Sequence, residues 1–162
     1  RMGKEFGGGS IWDVGCYPIS YARTIVGEEP VEVFGWQIEG PGGSDDSFIG
    51  QMRFANGVHA QFDSGFKSPS RSYIEIVGSD AVLKIPSAFK PGVKSDVFFV
   101  KGEKEEKIKI SGTNLYLGEV EDMCDSILLN KPQRITLGDS RGNIAAILGF
   151  LDSIHTKMPV FL

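Results

Sequence analysis

From Ile11 to Val26 the positions Ile11, Val14, Pro18, Ala22, Ile25 and Val26 fall on one face of a helix, and Gly27 stands where that helix should stop. Pro18 removes a backbone donor in mid-segment, so the spacing predicts either a kink there or two shorter pieces that meet near it. Between Val31 and Ser111 the period shortens to two, and Gly, Pro, Asn and Asp separate the runs. Strands are expected at Val31 to Gln37, Ser47 to Phe54, Val58 to Phe66, Ser72 to Gly78, Ala81 to Ile85, Val97 to Lys101 and Glu106 to Ser111. Helical spacing then returns in two stripes, Leu117, Val120, Cys124, Ile127 and Leu128 followed by Ile144, Ile147, Leu148, Leu151 and Ile154. Asn130-Lys131-Pro132 reads as a stop and Gly138-Asp139-Ser140 as a start, with Asp139 or Ser140 as the N-cap. A helix, a long run of strands and two helices make an α+β chain: a predominantly antiparallel β-sheet with α-helices packed on one face, residues 1–162 forming one domain.

One hairpin can be argued residue by residue. Phe48, Met52 and Phe54 share a face of their strand, and Val58, Ala60, Phe62 and Phe66 share a face of the next. Both sets must meet the same core, because a slip of one residue would send one of them to the opposite side. A two-residue Asn-Gly turn pairs Phe54 with His59 and separates the sets. A three-residue loop, Ala55-Asn56-Gly57 with Gly57 left-handed, pairs Phe54 with Val58 and aligns them, so the longer loop is expected.

Composition narrows the functions. Lys and Arg number 17 against 21 for Asp and Glu, a net charge of -4, which gives no phosphate-tracking surface and speaks against nucleic acid. Cys16 and Cys124 lie far apart without metal-ligand spacing, which suits reduced thiols in a cytoplasmic protein. No apolar run approaches the roughly 20 residues that span a bilayer, and Arg1 to Ser10 has no signal-peptide core, so no membrane partner is expected.

The chemistry concentrates in Gly7-Gly8-Gly9-Ser10-Ile11-Trp12-Asp13-Val14-Gly15-Cys16-Tyr17-Pro18. Asp13 and Tyr17 are four apart, so on a helix they project from one side, and a carboxylate beside a phenol can exchange protons with a hydroxyl; a surface Asp beside a partly buried Tyr is the plain alternative. Trp12 and Trp36 either flank a ligand ring or pack in a core. Arg141 and Asn143, at a helix start, reach either a ligand or solvent. His59 falls on the polar face of a strand, His155 suits a helix C-terminus, and the acidic group Glu119, Glu121, Asp122 and Asp125 suits an exposed helix N-terminus. No cluster of His and carboxylate supports a metal-dependent hydrolase.

The glycine run followed by Asp13, Gly15 and Tyr17 resembles the Gly-Gly-Gly, Asp-x-Gly-x-His or Tyr signature of the glucose-fructose oxidoreductase and inositol dehydrogenase (Gfo/Idh/MocA) family. The likeness continues through Gly27-Glu28-Glu29-Pro30-Val31, Phe54-Ala55-Asn56-Gly57, Ile74-Glu75-Ile76-Val77-Gly78 and Asp139-Ser140-Arg141-Gly142-Asn143, which covers most of the chain. With Tyr at position 17 it is similar to the branch holding dihydrodiol and xylose dehydrogenases. The resemblance implies the substrate-side, C-terminal half of an NAD- or NADP-dependent oxidoreductase acting on a sugar, polyol or related cyclic alcohol. It implies Tyr17 as proton donor or acceptor and Asp13 as a substrate-positioning carboxylate, while Trp12, Arg141 and Asn143 are the candidate substrate contacts read from the residues themselves. It also implies a homodimer through an open sheet face, and a strand before the glycine run of which only Arg1 to Phe6 remain. A phenol with an ordinary pKa near 10 needs help to act as a base, and the family's help is the lysine of a Glu-Lys-Pro motif in the cofactor half. Neither Glu-Lys-Pro nor a Gly-x-Gly-x-x-Gly fingerprint occurs here, so NAD or NADP is expected to be bound elsewhere. The rival reading is a noncatalytic oligomerisation or carbohydrate-binding module.

Overall fold

The computed structural model describes residues 3–162. The chain divides into two compact units, Arg1–Ser68 with Ile135–Leu162, and Pro69–Arg134. The first unit opens with a 3-10 turn at Lys4–Phe6 and a π turn at Ile11–Gly15. It continues with α1 (Cys16–Val26), β1 (Pro30–Glu39), β2 (Asp45–Phe54) and β3 (His59–Gly65). The second unit holds β4 (Tyr73–Val77), β5 (Val82–Pro86), β6 (Lys94–Lys101), β7 (Lys104–Ser111) and α2 (Leu117–Leu129). The chain then returns to the first unit with α3 (Leu137–Thr156) and β8 (Val160–Phe161). The α+β reading holds, and the seven strands expected from the pattern divide between two antiparallel sheets, ordered β3-β2-β1-β8 and β4-β5-β6-β7.

In the first sheet, alternation along β2 buries Phe48, Gly50, Met52 and Phe54 and exposes Ile49, Gln51 and Arg53. The β2–β3 hairpin has the expected three-residue loop: Phe54 N donates to Val58 O at 2.9 Å, Gly57 N donates to Phe54 O at 3.0 Å, and Gly57 takes φ +86°. A positive φ costs glycine little, and the longer loop wins here over a two-residue turn because it pairs Met52 with Ala60 and so keeps both apolar sets on one face. On the buried face Phe48, Phe62 and Phe150 form a triad, with Phe150 meeting Phe62 edge-on at 5.3 Å and Phe48 edge-on at 5.8 Å. The rings find room because the facing pair Gly35 and Gly50 carries no side chains. A Cβ at Gly50 would stand 2.7 Å from Phe150 and collide with Phe62, and one at Gly35 would stand 2.6 Å from Phe48. Each fully buried Phe contributes roughly 1.5–3 kcal/mol relative to exposure. α3 lies close on β1 for the same reason: a Cβ at Gly149 would be 3.0 Å from Val33.

Pro18 produces the second of the two expected outcomes, two helical pieces rather than one kinked helix. The π turn gives way to α1 at Gly15 and Cys16, whose backbone is helical at both, and Pro18 becomes the third residue of α1, next to the change of helix type. Gly27 ends α1 in the left-handed conformation, as the pattern indicated. The start of α3 lies earlier than expected. Thr136 is the N-cap and its Oγ1 accepts from Asp139 N at 3.1 Å, while the Asp139 carboxylate turns to Arg23. That arginine is nearly inaccessible, yet it donates twice to Glu29 (2.6 and 2.7 Å), to the carbonyl and carboxylate of Asp139, and to Asn143. It ties α1, the loop before β1 and α3 together.

In the second unit one face of the sheet is apolar, with Ile74, Ile76, Leu83, Ile85, Val97 and Phe99 among its residues, and the other carries the ion pairs Lys84–Glu105 and Lys107–Asp96. Lys107 and Lys109 therefore do not share a face with Ile49 and Arg53 of the first sheet, as continuous alternation would suggest. Nor do all three helices cover the Phe48 face. α1 and α3 do so, while α2 belongs to the second unit and ends at Asn130, left-handed at φ 50°.

Two measurements test this packing. Gly50→Ala forces the aromatic triad apart and should cost about 1–3 kcal/mol in urea unfolding, the range for overpacked cores; an unchanged midpoint would show that the rings give way freely. Arg23 holds Glu29 below the ordinary carboxylate range by side-chain hydrogen bonding, and Glu29 in turn raises Arg23. A depressed carboxylate stabilises fully above its unfolded value and loses that contribution as pH falls through the folded one. The stability gap between wild type and Glu29→Gln should thus be constant near neutrality and close in the acid range, below the usual glutamate pKa. A gap that persists in acid would contradict the pairing.

Candidate active site

The segment from Gly7 to Tyr17 crosses the buried side of the first sheet. Ile11 is wholly buried among the core residues, and Gly15 packs where a Cβ would lie 3.2 Å from Ser64 Oγ and 3.4 Å from Phe62. Anchored on that side, the segment presents its other side outward. Tyr17 is about half exposed (54%), and Asp13 and Trp12 are partly exposed. Phe6, Gly7, Gly8, Trp12 and Asp13 line an open recess of about 260 Å³. Trp12 also packs on the core from its other side. Asp13 lies in the π turn and Tyr17 in the first turn of α1, so both face the same side of one short segment. A π turn at such a junction is a recurrent feature of functional helices.

The remaining candidates separate. Asn143 reaches the same segment, but its amide donates to the carbonyl of Cys16 at 3.3 Å and its oxygen accepts from Arg23. That engagement favours a buttressing role over a substrate contact. Arg141 is exposed on the first turns of α3. Trp36 lies on the opposite, open face of the sheet, edge-on to Phe34 at 4.6 Å, and His59 is exposed on that face beside Arg53. His155 occupies the last turn of α3, as its dipole role requires. Burial pushes the Cys16 thiol up, and the Asp13 carboxylate pushes it the same way, so this neighbour of Tyr17 stays protonated.

Sequence reasoning passed over Asp45, Ser10 and Ser64, a buried polar trio beneath the segment. Ser10 Oγ donates to Asp45 Oδ2 at 2.6 Å and lies 3.1 Å from Ser64 Oγ; Ile11 N donates to Asp45 Oδ2 at 2.8 Å. The signal was a pair of acids, Asp45-Asp46, opening an otherwise amphipathic strand. Among the described residues no three His, Cys, Asp or Glu side chains gather as a metal site, and no helix is long and apolar enough to cross a membrane.

Known proteins place the fold. The model of the GFO/IDH/MocA C-terminal domain matches residues 1–84. A D-xylose 1-dehydrogenase (NADP(+)) of Haloferax volcanii is 25% identical over 165 residues, covering all of this chain and half of that protein. Among solved structures, an aldose-aldose oxidoreductase from Caulobacter crescentus, complexed with glycerol, superimposes with a TM-score of 0.86 at 21% identity, over 96% of this chain and 48% of its own. A 3-ketoreductase from Actinomadura kijaniata, in complex with NADP and TDP-benzene, gives 0.82 at 20% identity, over 93% and 46%. The chain thus spans about half the length of the proteins it matches. With the family pattern running through the glycine segment, the Asp13–Tyr17 turn and the first sheet, the chain belongs to the GFO/IDH/MocA family, as its C-terminal domain.

Proposed function

We propose that this chain is the substrate wall of a cytoplasmic NAD(P)-dependent oxidoreductase acting on a carbon-bound hydroxyl of a sugar, polyol or cyclic alcohol. The observation that carries the reading is the exposed Tyr17 one turn from Asp13 beside the Gly7–Trp12 recess, on a segment fixed to the sheet below it. The relatives' names point the same way: a xylose dehydrogenase, an aldose oxidoreductase and a ketoreductase. The recess is open, with the Asp13 carboxylate in its lining to meet a hydroxylated ligand and the Trp12 ring against which a sugar face can lie.

The dinucleotide does not fit on this chain. Both sheets are antiparallel among the described residues, and Gly7–Gly9 leads into a π turn rather than joining a parallel strand to a helix. No crevice at the carboxyl ends of parallel strands is therefore formed. NAD or NADP belongs to another half, which supplies the hydride acceptor or donor. This chain's part is the proton: the Tyr17 hydroxyl gives it to, or takes it from, the substrate oxygen, while Asp13 accepts hydrogen bonds from neighbouring substrate hydroxyls. Trp12 and Arg141 remain candidate substrate contacts, Trp12 by its place in the recess.

The open face of the first sheet supports a homodimer. Trp36 lies across from Ile49, with Ile38 and Phe161 on the same side, and these four are 53, 52, 68 and 73% exposed. Among the described residues, no helix of this unit covers them. The charges on this face leave the apolar strip as the centre of the interface, because Arg53 already pairs with Glu32 at 2.6 Å within the chain.

In the full-length enzyme, Tyr17→Phe keeps the ring and removes the proton-transferring hydroxyl, so turnover should fall roughly a hundredfold or more with cofactor affinity little changed. Asp13→Asn should chiefly raise KM for substrate. Full activity in the first variant, or unchanged kinetics in the second, would remove that residue from the reaction. The dimer should bury more than about 1,000 Å² in total, the lower bound for a specific interface. Light scattering should then give a dimer mass for wild type and a monomer mass for Ile49→Glu; a wild-type monomer that persists with rising concentration would refute it.

A further inference from the structure

The two acids that open β2 are buried where strand alternation alone would expose one of them. Odd positions of β2 face the open side, as Ile49, Gln51 and Arg53 do, so Asp45 should point there too. The register slips between the pairs Ile38–Ser47 and Glu39–Asp45, which leaves Asp46 as the extra residue of β2. A bulge of this kind reverses which side the next side chain faces. Asp45 is thereby turned to the helical side, 4% exposed, beneath the start of the π turn. Its Oδ2 accepts from Ser10 Oγ and from the backbone N–H of Ile11, and its Oδ1 fills the space where a Cβ of Gly9 would be. Gly9 has φ +131°, so both conformation and space restrict that position to glycine. Ser64 of β3 completes the grip through Ser10. The held atoms, Gly9 to Ile11, immediately precede Trp12 and Asp13, and a carboxylate at this end of a helix also faces the positive end of its dipole.

We propose that Asp45 is the positioning residue of the Asp13–Tyr17 pair: the bulge aims it under the segment, and it fixes where the π turn begins and thus where the carboxylate and the phenol stand. It touches no substrate and acts through the turn. This rests on the dehydrogenase reading for its catalytic consequence, but the grip itself can be measured independently. In the full-length enzyme, Asp45→Asn keeps size and one acceptor oxygen, and Ser10→Ala removes a single donor with little risk to folding. Hydrogen exchange followed by mass spectrometry should show faster exchange confined to residues 9–17, larger in Asp45→Asn than in Ser10→Ala. Turnover should fall roughly ten- to a hundredfold in Asp45→Asn, as misplacement of reacting groups does, with KM for the cofactor unchanged. Exchange over residues 9–17 equal to wild type in both variants would overturn the proposal. So would exchange that rises evenly through the chain while turnover of the folded enzyme holds, since that describes a structural residue. If wild type oxidises or reduces no member of a sugar and polyol panel, the dehydrogenase reading fails while the exchange comparison still decides whether Asp45 holds the turn.

Discussion

The placement of Phe62 governs the first unit. Its ring touches the space above Gly50, meets Phe150 of α3 edge-on, stacks at 6.2 Å from Phe48, and supports Gly15 at the end of the π turn. One side chain of β3 thus sets how near both α3 and the glycine-rich segment approach the sheet. Interiors are packed as densely as crystals, so such a ring cannot shift without moving what rests on it. The facing glycines Gly35 and Gly50 and the helical Gly15 and Gly149 are the complement of these rings and of close helix approach. Each would meet a neighbour if it carried a Cβ.

On this apolar base stand two polar systems with different work. Arg23, Glu29, Asp139 and Asn143 join α1 to α3, and the Asn143 amide carries the connection to the Cys16 carbonyl, next to Tyr17. Asp45, Ser10 and Ser64 hold the other end of the segment, before Asp13. The Asp13–Tyr17 pair lies between the two, with each flank fixed by hydrogen bonds; Asp13 lines the recess and Tyr17 is half exposed. Supported backbone of this kind holds side chains to a fixed geometry, which the proton transfer proposed above would require.

Alternation of apolar and polar residues determined the strands, the two later helices and the three-residue hairpin loop, because each depends on near neighbours and on which side of a strand a residue occupies. The glycine run with Asp13 and Tyr17 determined the family resemblance and the candidate site. What tertiary structure decided depends on distant partners. The division of seven strands between two sheets follows from which edges pair, and the two-residue β8 is a strand only because Val160 and Phe161 meet Val33 and Glu32 of β1. Asp139 caps nothing because a buried arginine 116 residues away claims its carboxylate, and Asn143 turns to backbone for a similar reason. Asp45 reads as an exposed strand residue until the slip opposite Glu39 reverses its side and makes it a support of the site. Periodicity carries the facing of regular backbone; a bulge, a buried ion pair and a close helix contact arise from the meeting of segments that the sequence keeps far apart.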